Sequence, residues 1–286
     1  FTGAQSTDRF VQELRLVSTD TAKAAGKFQW TVGAVYSDEK SSNAQRLAGL
    51  PTNFLLLDVN IPSKLEELAG FADLTYFVTP DFDVSAGVRV GDIKASVAVT
   101  DGPEILLGDV PPTKIDDTVD TYSFSARYRP SDTLSLYARI ASGYRPASAN
   151  LPLQGASPIV ETDTLWSYEV GAKGVAAGGR LSYLNWKNLQ ATVFVNGAMT
   201  GGNADSDVTA YGLESALHYS PTDRFAVTAS AAYTDSTLDE DDTSAFGAVA
   251  GEKMPGVPEI TWALRGDYTL PLANDGKVTF GAGMRY

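Results

Sequence analysis

Apolar and polar residues alternate one by one along much of this chain. Between Phe28 and Tyr36 every second residue is Phe, Trp, Val, Ala or Tyr, and the residues between them include Gln29 and Thr31. The same period recurs near residues 122–129, 134–140, 165–173, 225–234, 260–268 and 278–286. Because successive side chains of a strand point to opposite faces, this pattern predicts strands with one apolar and one polar face.

Short turns rich in Pro, Gly and Asp are predicted near residues 24–26, 80–81, 130–132, 177–179, 221–223 and 273–276. The remaining connections are longer, and we predict outer loops at 38–66, 92–118, 144–162, 196–206 and 236–258. Long strands with short turns at one end and long loops at the other are typical of a transmembrane antiparallel up-and-down β-barrel. The predicted fold is therefore all-β, with about twelve strands of ~10 residues each.

Aromatic residues cluster at the ends of the apolar faces, as in the pairs Phe28 and Tyr36, Tyr122 and Tyr128, and Phe225 and Tyr233. Such rings favour the headgroup level of a membrane, where the apolar body and the polar tip are both satisfied. A soluble β-sandwich also alternates, but its strands average only ~5–6 residues. The strand length therefore favours the barrel.

Composition narrows the function classes. The chain has 286 residues, a net charge of −13 and no cysteine. The negative charge argues against a nucleic-acid partner, and the lack of cysteine excludes thiolate chemistry. No stretch approaches the ~18 apolar residues of a spanning helix.

Catalytic and metal sites find little support in the sequence. His218 is the only histidine and lies two residues before the turn that starts at Ser220, so we interpret it as a wall residue rather than part of a Ser-His-Asp triad. The acidic run 239–242 lacks the ligand spacing of a calcium loop, so we interpret it as a solvated loop. No enzyme activity, metal or cofactor is predicted.

Several segments resemble the barrel of TonB-dependent outer-membrane receptors. The match rests on the order and spacing of RFVQELRL at 9–16, LYARIASGYRP at 136–146, SYEVGAK at 167–173, NWKNLQ at 185–190, YGLE at 211–214 and PGVP at 255–258. The resemblance implies a barrel of about 22 strands with a plugged lumen. The family's plug, energy-coupling box and closing strands have no counterpart in this sequence. We therefore interpret residues 1–286 as barrel wall, an interior piece of the larger barrel, although twelve strands could also close as a smaller one.

In two places the alternation of apolar and polar residues changes phase abruptly, unlike the pattern of the family. One lies between Tyr183 and Leu184, and the other lies at residues 90–93. Each predicts either a β-bulge or missing residues.

The resemblance implies a function in the bacterial outer membrane. Its members import a scarce extracellular nutrient, typically a ferric siderophore, with energy from the TonB complex acting through the plug domain. The expected partners are thus outer-membrane lipid, an extracellular small molecule and TonB. The polar or aromatic loop residues offered as substrate-binding candidates are Tyr144, Arg145, Asn150, Gln154, Asn196 and Asn203.

The polar face predicts a charged lumen that would contact a plug or filter ions. Its predicted members are Glu13, Arg15, Asp73, Arg89, Arg127, Arg139, Glu169, Lys173, Glu214, Arg265 and Arg285. A passive porin, an outer-membrane hydrolase and a soluble partner-binding sandwich remain open alternatives from the residues alone.

Overall fold

Twelve antiparallel strands form one continuous sheet in the computed structural model of this chain. The structure describes residues 2–19, 27–49, 54–100, 112–150, 156–195 and 198–286. The strands of the main sheet, in order across it, are β1 (Thr2–Val17), β2 (Phe28–Gly49), β3 (Phe54–Thr79), β4 (Phe82–Val97), β5 (Thr113–Ser131), β6 (Leu134–Arg145), β9 (Asp163–Gly174), β10 (Ala177–Lys187), β13 (Val208–Thr222), β14 (Phe225–Leu238), β15 (Ile260–Pro271) and β16 (Lys277–Arg285). The all-β antiparallel prediction and the strand count are confirmed.

Two small sheets lie in the connections of the main sheet. One pairs β7 (Ser148–Ala149) with β8 (Ile159–Val160), and the other pairs β11 (Gln190–Val195) with β12 (Ala198–Asn203). Within the described part of the chain, no helix is long and apolar enough to cross a membrane.

The strand register assembles the predicted apolar faces into one surface, called here the outer face. Trp30 of β2 lies opposite Leu74 of β3, which lies opposite Ala86 of β4. Trp30 and Leu74 are 42% and 46% exposed, far more than side chains packed in a protein core. An exposed apolar surface of this extent is typical of the outward-facing side of a transmembrane barrel wall.

Aromatic rings border this apolar band at both ends. Near the short turns, the rings of Phe28 and Tyr76 lie 4.8 Å apart. At the opposite end, Tyr168, Tyr183 and Tyr211 lie on three neighbouring strands, with successive ring centroids 5.7 and 5.1 Å apart. The arrangement agrees with the predicted placement of rings at the two membrane interfaces.

The opposite surface, called here the inner face, carries all eleven charged residues predicted for the lumen. The charges form a ladder across four strands, in which Glu169 forms ion pairs with Arg139 and Arg180, with N–O distances of 3.7 and 3.5 Å. Arg180 also donates to Glu214 at 2.7 Å. Each ladder member therefore has a neighbour of opposite sign on the next strand.

Strands β1 to β5 are longer than predicted. The strand β2 has 22 residues and β3 has 26, so most of the predicted loop 38–66 is paired strand instead. The predicted loop 92–118 is likewise replaced at both ends, by β4 up to Val97 and by β5 from Thr113. The extension of β2 carries polar side chains on both faces, for instance Ser41, whose hydroxyl lies 2.6 Å from that of Ser63, and so lacks the apolar period that marks a membrane strand.

The phase change at Tyr183 is not a gap. The strand β10 runs without interruption through Tyr183 and Leu184 and pairs in unbroken register with β9 and β13, so neither missing residues nor a bulge is present. Tyr183 belongs to the aromatic border, and Asn185 lies two residues beyond it on the outer face. Residues 90–93 also lie inside β4, in unbroken register with β3 and β5.

The short turns lie at one end of the sheet, as predicted. They occur at residues 80–81, 132–133, 175–176 and 223–224 and in the segment 272–276, while the predicted turn at 24–26 lies outside the described residues. The turn near 177–179 is displaced because β10 already begins at Ala177.

The sheet has two edges, formed by β1 and β16. In the described residues these two strands do not pair with each other, so the sheet does not close as a twelve-stranded barrel.

Candidate functional site: the loop module

The connections at the end of the sheet opposite the short turns pack into one body. We define the loop module as the described residues of 145–163, 188–207 and 239–258. It contains both small sheets and the long connection between β14 and β15.

A small apolar core holds part of the module together. Leu189 and Leu238 are 2% and 1% exposed and cluster with Ala204 and Val208. Trp186, Ala191, Ala245, Phe246, Ala248 and Met254 pack against this cluster from three different segments of the chain. Because the core joins β10, the hairpin of β11 and β12, and the segment 239–258, these parts cannot move independently without exposing it.

Asp242 fastens the segment 239–258 to the segment before β13. Its side chain is fully buried. One carboxylate oxygen accepts the backbone N–H groups of Ala245 and Phe246 at 2.8 and 3.0 Å, and the other accepts those of Asp205 and Ser206 at 2.7 and 3.3 Å. The burial of Asp242 acts to raise its pKa, but the four N–H donors outweigh it and hold the pKa below its ordinary value.

The prediction of a solvated acidic run at 239–242 is therefore wrong for Asp242. Two of its N–H partners, Asp205 and Ser206, lie far away in sequence, and the other two depend on the local turn, so composition alone did not reveal them. Among the described residues no group of three or more His, Cys, Asp or Glu side chains could hold a metal ion.

Asp163 plays a matching role where β9 begins. Its side chain is 1% exposed and accepts the backbone N–H of Arg145 at 3.0 Å and that of Gln190 at 3.2 Å. Arg145 Nε donates to the same carboxylate at 2.7 Å, and its guanidinium lies over the Trp186 ring, 5.0 Å from the centroid. A buried carboxylate thus joins the end of β6, the start of β9 and the start of β11.

Two asparagine side chains form hydrogen bonds that join separate loops. Asn150 is buried, its amide nitrogen donates to the carbonyl of Gly201 at 2.6 Å, and its oxygen accepts from Thr200 at 2.8 Å. Asn203 donates to the carbonyl of Asn188 at 2.8 Å and accepts the N–H of Glu161 at 2.8 Å. Each side chain replaces a backbone partner that an irregular loop would otherwise lack.

The Tyr144 side chain lies toward the inner face, beyond the point where β6 stops pairing with β5. The pairing of β6 with β5 ends at Ala141, and the Ser142 hydroxyl then accepts the Tyr122 N–H at 2.8 Å. Beyond this point the Tyr144 side chain lies beside Glu67 and Arg89, which form an ion pair on the inner face. The strand β7 follows and contacts β4 and β5.

The structure thus brings Tyr144, Arg145, Asn150 and Asn203 into the same region of the molecule. Gln154 and Asn196 lie outside the described residues. The sequence analysis missed Asp163, Asn188, Gln190 and Asp242, whose importance follows from burial and from bonds to distant backbone groups. A carboxylate next to a strand end, as at Asp163, was the one signal available.

His218 lies on the inner face near the short turns. Its two ring nitrogens are 3.3 Å from the Thr228 hydroxyl and 3.2 Å from the Ser220 hydroxyl. These bonds include no carboxylate, so the geometry is that of a wall histidine and not of a triad.

Comparison with known proteins agrees with this architecture. The family of TonB dependent receptor-like β-barrels matches residues 1–286. The pesticin receptor of Yersinia enterocolitica is 29% identical over 226 residues, which cover 74% of this chain and 32% of the receptor. The chain therefore spans about a third of the length of the curated relatives it matches.

Solved structures show the same fold. The ferric yersiniabactin uptake receptor of Yersinia pestis superposes with a TM-score of 0.77 at 20% identity, over 97% of this chain and 42% of that one. The ferripyoverdine receptor of the Pseudomonas aeruginosa outer membrane, solved with ferripyoverdine bound, gives 0.69 at 17% identity, over 99% and 38%. The family matches this chain along the whole length of the chain, so the chain belongs to the TonB-dependent receptor-like β-barrel family.

Proposed function

We propose that this chain is barrel wall of a bacterial outer-membrane receptor that imports an extracellular iron chelate, most specifically a ferric siderophore, with energy supplied by TonB. The observation that carries the proposal is the match of the receptor barrel family to residues 1–286. The relatives' names point to the cargo class, since one is a ferric yersiniabactin uptake receptor and another holds ferripyoverdine.

The loop module supports a role in ligand capture. Function in such proteins concentrates on loops held by a rigid wall, and a preorganised surface loses less entropy when it binds a ligand. The bonds to Asp163, Asp242, Asn150 and Asn203 hold the module in one arrangement. In this proposal the ligand contacts Arg145, whose guanidinium is half-exposed, and Tyr144, which lies beside Glu67 and Arg89. Gln154 and Asn196 remain candidates.

The open edges support a larger barrel. In a membrane the backbone groups of an edge strand need hydrogen-bond partners, because no water is available to supply them. The outer edges of β1 and β16 are unpaired in the described sheet. Residues 1–286 would therefore be one part of a closed wall of about 22 strands, whose charged inner face contacts a plug domain.

The test is uptake by cells that carry or lack the full-length gene. We expect deletion to abolish accumulation of at least one radiolabelled ferric siderophore under iron limitation, and loss of TonB to have the same effect. Uptake that depends on the gene but persists without TonB would replace the proposal with a passive porin. A hydrolytic activity abolished by His218→Ala would replace it with an enzyme.

A further inference from the structure

The two arginines at the candidate site are both paired with carboxylates. The Arg145 guanidinium forms an ion pair with Asp163, and Arg145 Nε donates to the same carboxylate at 2.7 Å. Beside Tyr144, Arg89 forms an ion pair with Glu67. These pairs give the site about as much negative as positive charge, so a ligand meets compensated charges there rather than a basic pocket.

The loop module, to which Arg145 belongs, is strongly acidic. Its three segments contain nine Asp or Glu residues and two Lys or Arg residues, which gives a net charge of −7. The second base of the module, Lys253, is also paired, with Asp235 and Glu259 at 2.6 and 3.1 Å. Since both bases are paired, the excess of carboxylates determines the charge of the module surface.

Six carboxylates of the module are exposed and form no ion pair within the described part of the chain, namely Glu161, Asp205, Asp239, Glu240, Asp241 and Glu252. Backbone donors hold some of them in place without cancelling their charge. Asp205 accepts the N–H groups of Thr243 and Ser244 at 3.3 and 3.2 Å. Asp241 accepts that of Ala250 at 2.9 Å. The negative charge is therefore fixed in position by the fold of the module.

An exposed aromatic residue belongs to the same surface. Phe194 of β11 is 62% exposed, and its backbone N–H donates to the carbonyl of Ser244 at 3.2 Å. The N–H of Ser244 in turn donates to the Asp205 carboxylate. The face of an aromatic ring attracts cations through its quadrupole. This observation does not depend on the acidic residues, and it indicates the same sign of ligand charge.

We propose that the loop module selects iron chelates of zero or positive net charge and disfavours anionic ones. The inference rests on the proposed function and names the class of its cargo. Fixed charges of one sign raise the local concentration of oppositely charged ligands and speed their association, and they slow the association of ligands of the same sign.

The ion pairs of the site oppose an anionic chelate as well. Arg145 could bind such a chelate only by separating from Asp163. That separation would leave a carboxylate that is 1% exposed without its ion-pair partner, which is strongly unfavourable. An uncharged or cationic chelate can bind with this pair intact.

The experiment compares three forms of one ferric trihydroxamate that carries a single pendant amine. The free amine has one positive charge, its acetyl amide is neutral, and its succinyl amide has one negative charge. Association with the purified full-length receptor is followed by quenching of its tryptophan fluorescence. In about 0.02 M salt the amine form should associate about tenfold faster than the succinyl form, and in about 0.5 M salt the two rates should agree within about twofold.

Two charge-reversal variants separate the module from the rest of the protein. Glu240→Lys changes an exposed residue of the module, and Asp223→Lys makes the same change in an exposed short turn at the other end of the sheet. In low salt Glu240→Lys should lower the rate ratio about threefold, while Asp223→Lys should leave it unchanged. An equal fall in both variants would show that the net charge of the whole protein controls association, and would contradict the proposal.

A second measurement needs no cargo. Residues 1–286 contain no cysteine, so Thr192→Cys introduces the one thiol of this part of the receptor. Thr192 is exposed on β11, two residues beyond Gln190, whose carbonyl accepts from Arg145 at 3.0 Å. A cationic methanethiosulfonate should react there about fivefold faster than an anionic one in low salt, relative to their rates with free cysteine.

The two measurements distinguish this inference from the proposed function. Chelates that bind without a charge preference, or a faster succinyl form, would overturn the inference and leave import of iron chelates standing. Equal reaction of the thiol with both reagents would also overturn it. A thiol that prefers the cationic reagent supports the inference even where none of the three chelates binds, and that failure would count against the proposed function alone.

Discussion

The wall of β1–β5 and the loop module both extend beyond the apolar band, yet they satisfy their backbone groups in different ways. The wall simply continues the strand ladder, so that β2 and β3 stay paired from Phe28 and Tyr76 to Gly49 and Phe54 with one register shift. In the module the strands stop sooner, as β10 does at Lys187. Beyond these strand ends, side chains supply the hydrogen bonds that the ladder no longer provides, and a single carboxylate accepts several backbone N–H groups.

This difference predicts a difference in sensitivity to substitution. A ladder spreads its hydrogen bonds over many residues, and the loss of one exposed side chain leaves the backbone bonds intact. The module concentrates its bonds on a few buried side chains such as Asp242, whose removal leaves several buried donors unpaired at once. The module should therefore contain the positions of largest effect, and the wall should respond mainly where side chains crowd the backbone.

The largest effect is expected for Asp242→Asn. The amide keeps the shape but presents an NH2 group to two of the four N–H donors, so about two hydrogen bonds are lost and their donors stay buried. We expect the module to lose roughly 2–5 kcal/mol of local stability. Hydrogen exchange should show faster exchange of the Asp205, Ser206, Ala245 and Phe246 amides, with little change in β2 and β3.

Glu240→Gln is the matched control, because Glu240 lies in the same acidic run but its side chain is exposed. It should exchange like the wild type. Equal exchange rates in both variants would show that the run is held by its overall charge and that Asp242 is not an anchor.

The same carboxylate sets the response of the module to acid. Its folded pKa is below the ordinary 3.8, so the stabilisation is complete above that value and is lost as the pH falls through the folded pKa. Protease resistance of the segment 239–258 should thus be constant from pH 7 to about pH 5 and should fall only below about pH 4. Cleavage that already rises between pH 7 and pH 5 would contradict this assignment, and Asp242→Asn should remove the acid transition.

In the wall, a moderate effect is expected for Gly33→Ala. Gly33 lies on the inner face opposite Phe71, and a methyl group there would overlap the Phe71 ring and lie 2.8 Å from the carbonyl oxygen of Leu14. The ring can swing away but the backbone cannot, so we expect a loss of about 1–3 kcal/mol. Urea unfolding of the barrel measures it.

Gly70 serves as the control, since it lies in the same pair of strands and a methyl group there meets no atom within 4 Å. Gly70→Ala should be neutral or slightly stabilising. If both alanine variants have the same free energy of unfolding, the effect of alanine comes from its backbone propensity. The contact with the Phe71 ring would then contribute nothing.

The contrast between the two regions also explains which parts of the structure could be predicted from the sequence. The period of two between Phe28 and Tyr36 predicted the strand and its outer face, because a strand with one apolar face carries this pattern. Beyond Tyr36 both faces of β2 meet polar surroundings, so residues 38–49 carried no such pattern and were predicted as loop although they pair. In the module, Asp242 resembled its solvated neighbours, because its partners Asp205 and Ser206 lie far away in sequence and only the fold brings them close.

The smallest effect is expected at two lysines that occupy equivalent settings in the two regions. Lys253 of the module lies between Asp235 and Glu259 at 2.6 and 3.1 Å, much as Lys64 of the wall lies between Asp38 and Glu66. Hydrogen bonds to Asp235 and Glu259 raise the pKa of Lys253 to about 12, so its contribution is complete below pH 10.5 and is lost only as the pH rises through 12.

Both lysines are solvent-accessible, and exposed ion pairs contribute little because water and salt screen them. Lys253→Gln and Lys64→Gln should therefore lower the thermal midpoint slightly in low salt and should match the wild type in 0.5 M salt, where the Debye length is only about 4–5 Å. A loss at Lys253 that survives high salt would mean that this lysine, like Asp242, anchors the module through its geometry. The division between a distributed wall and a concentrated module would then extend from buried carboxylates to exposed cations.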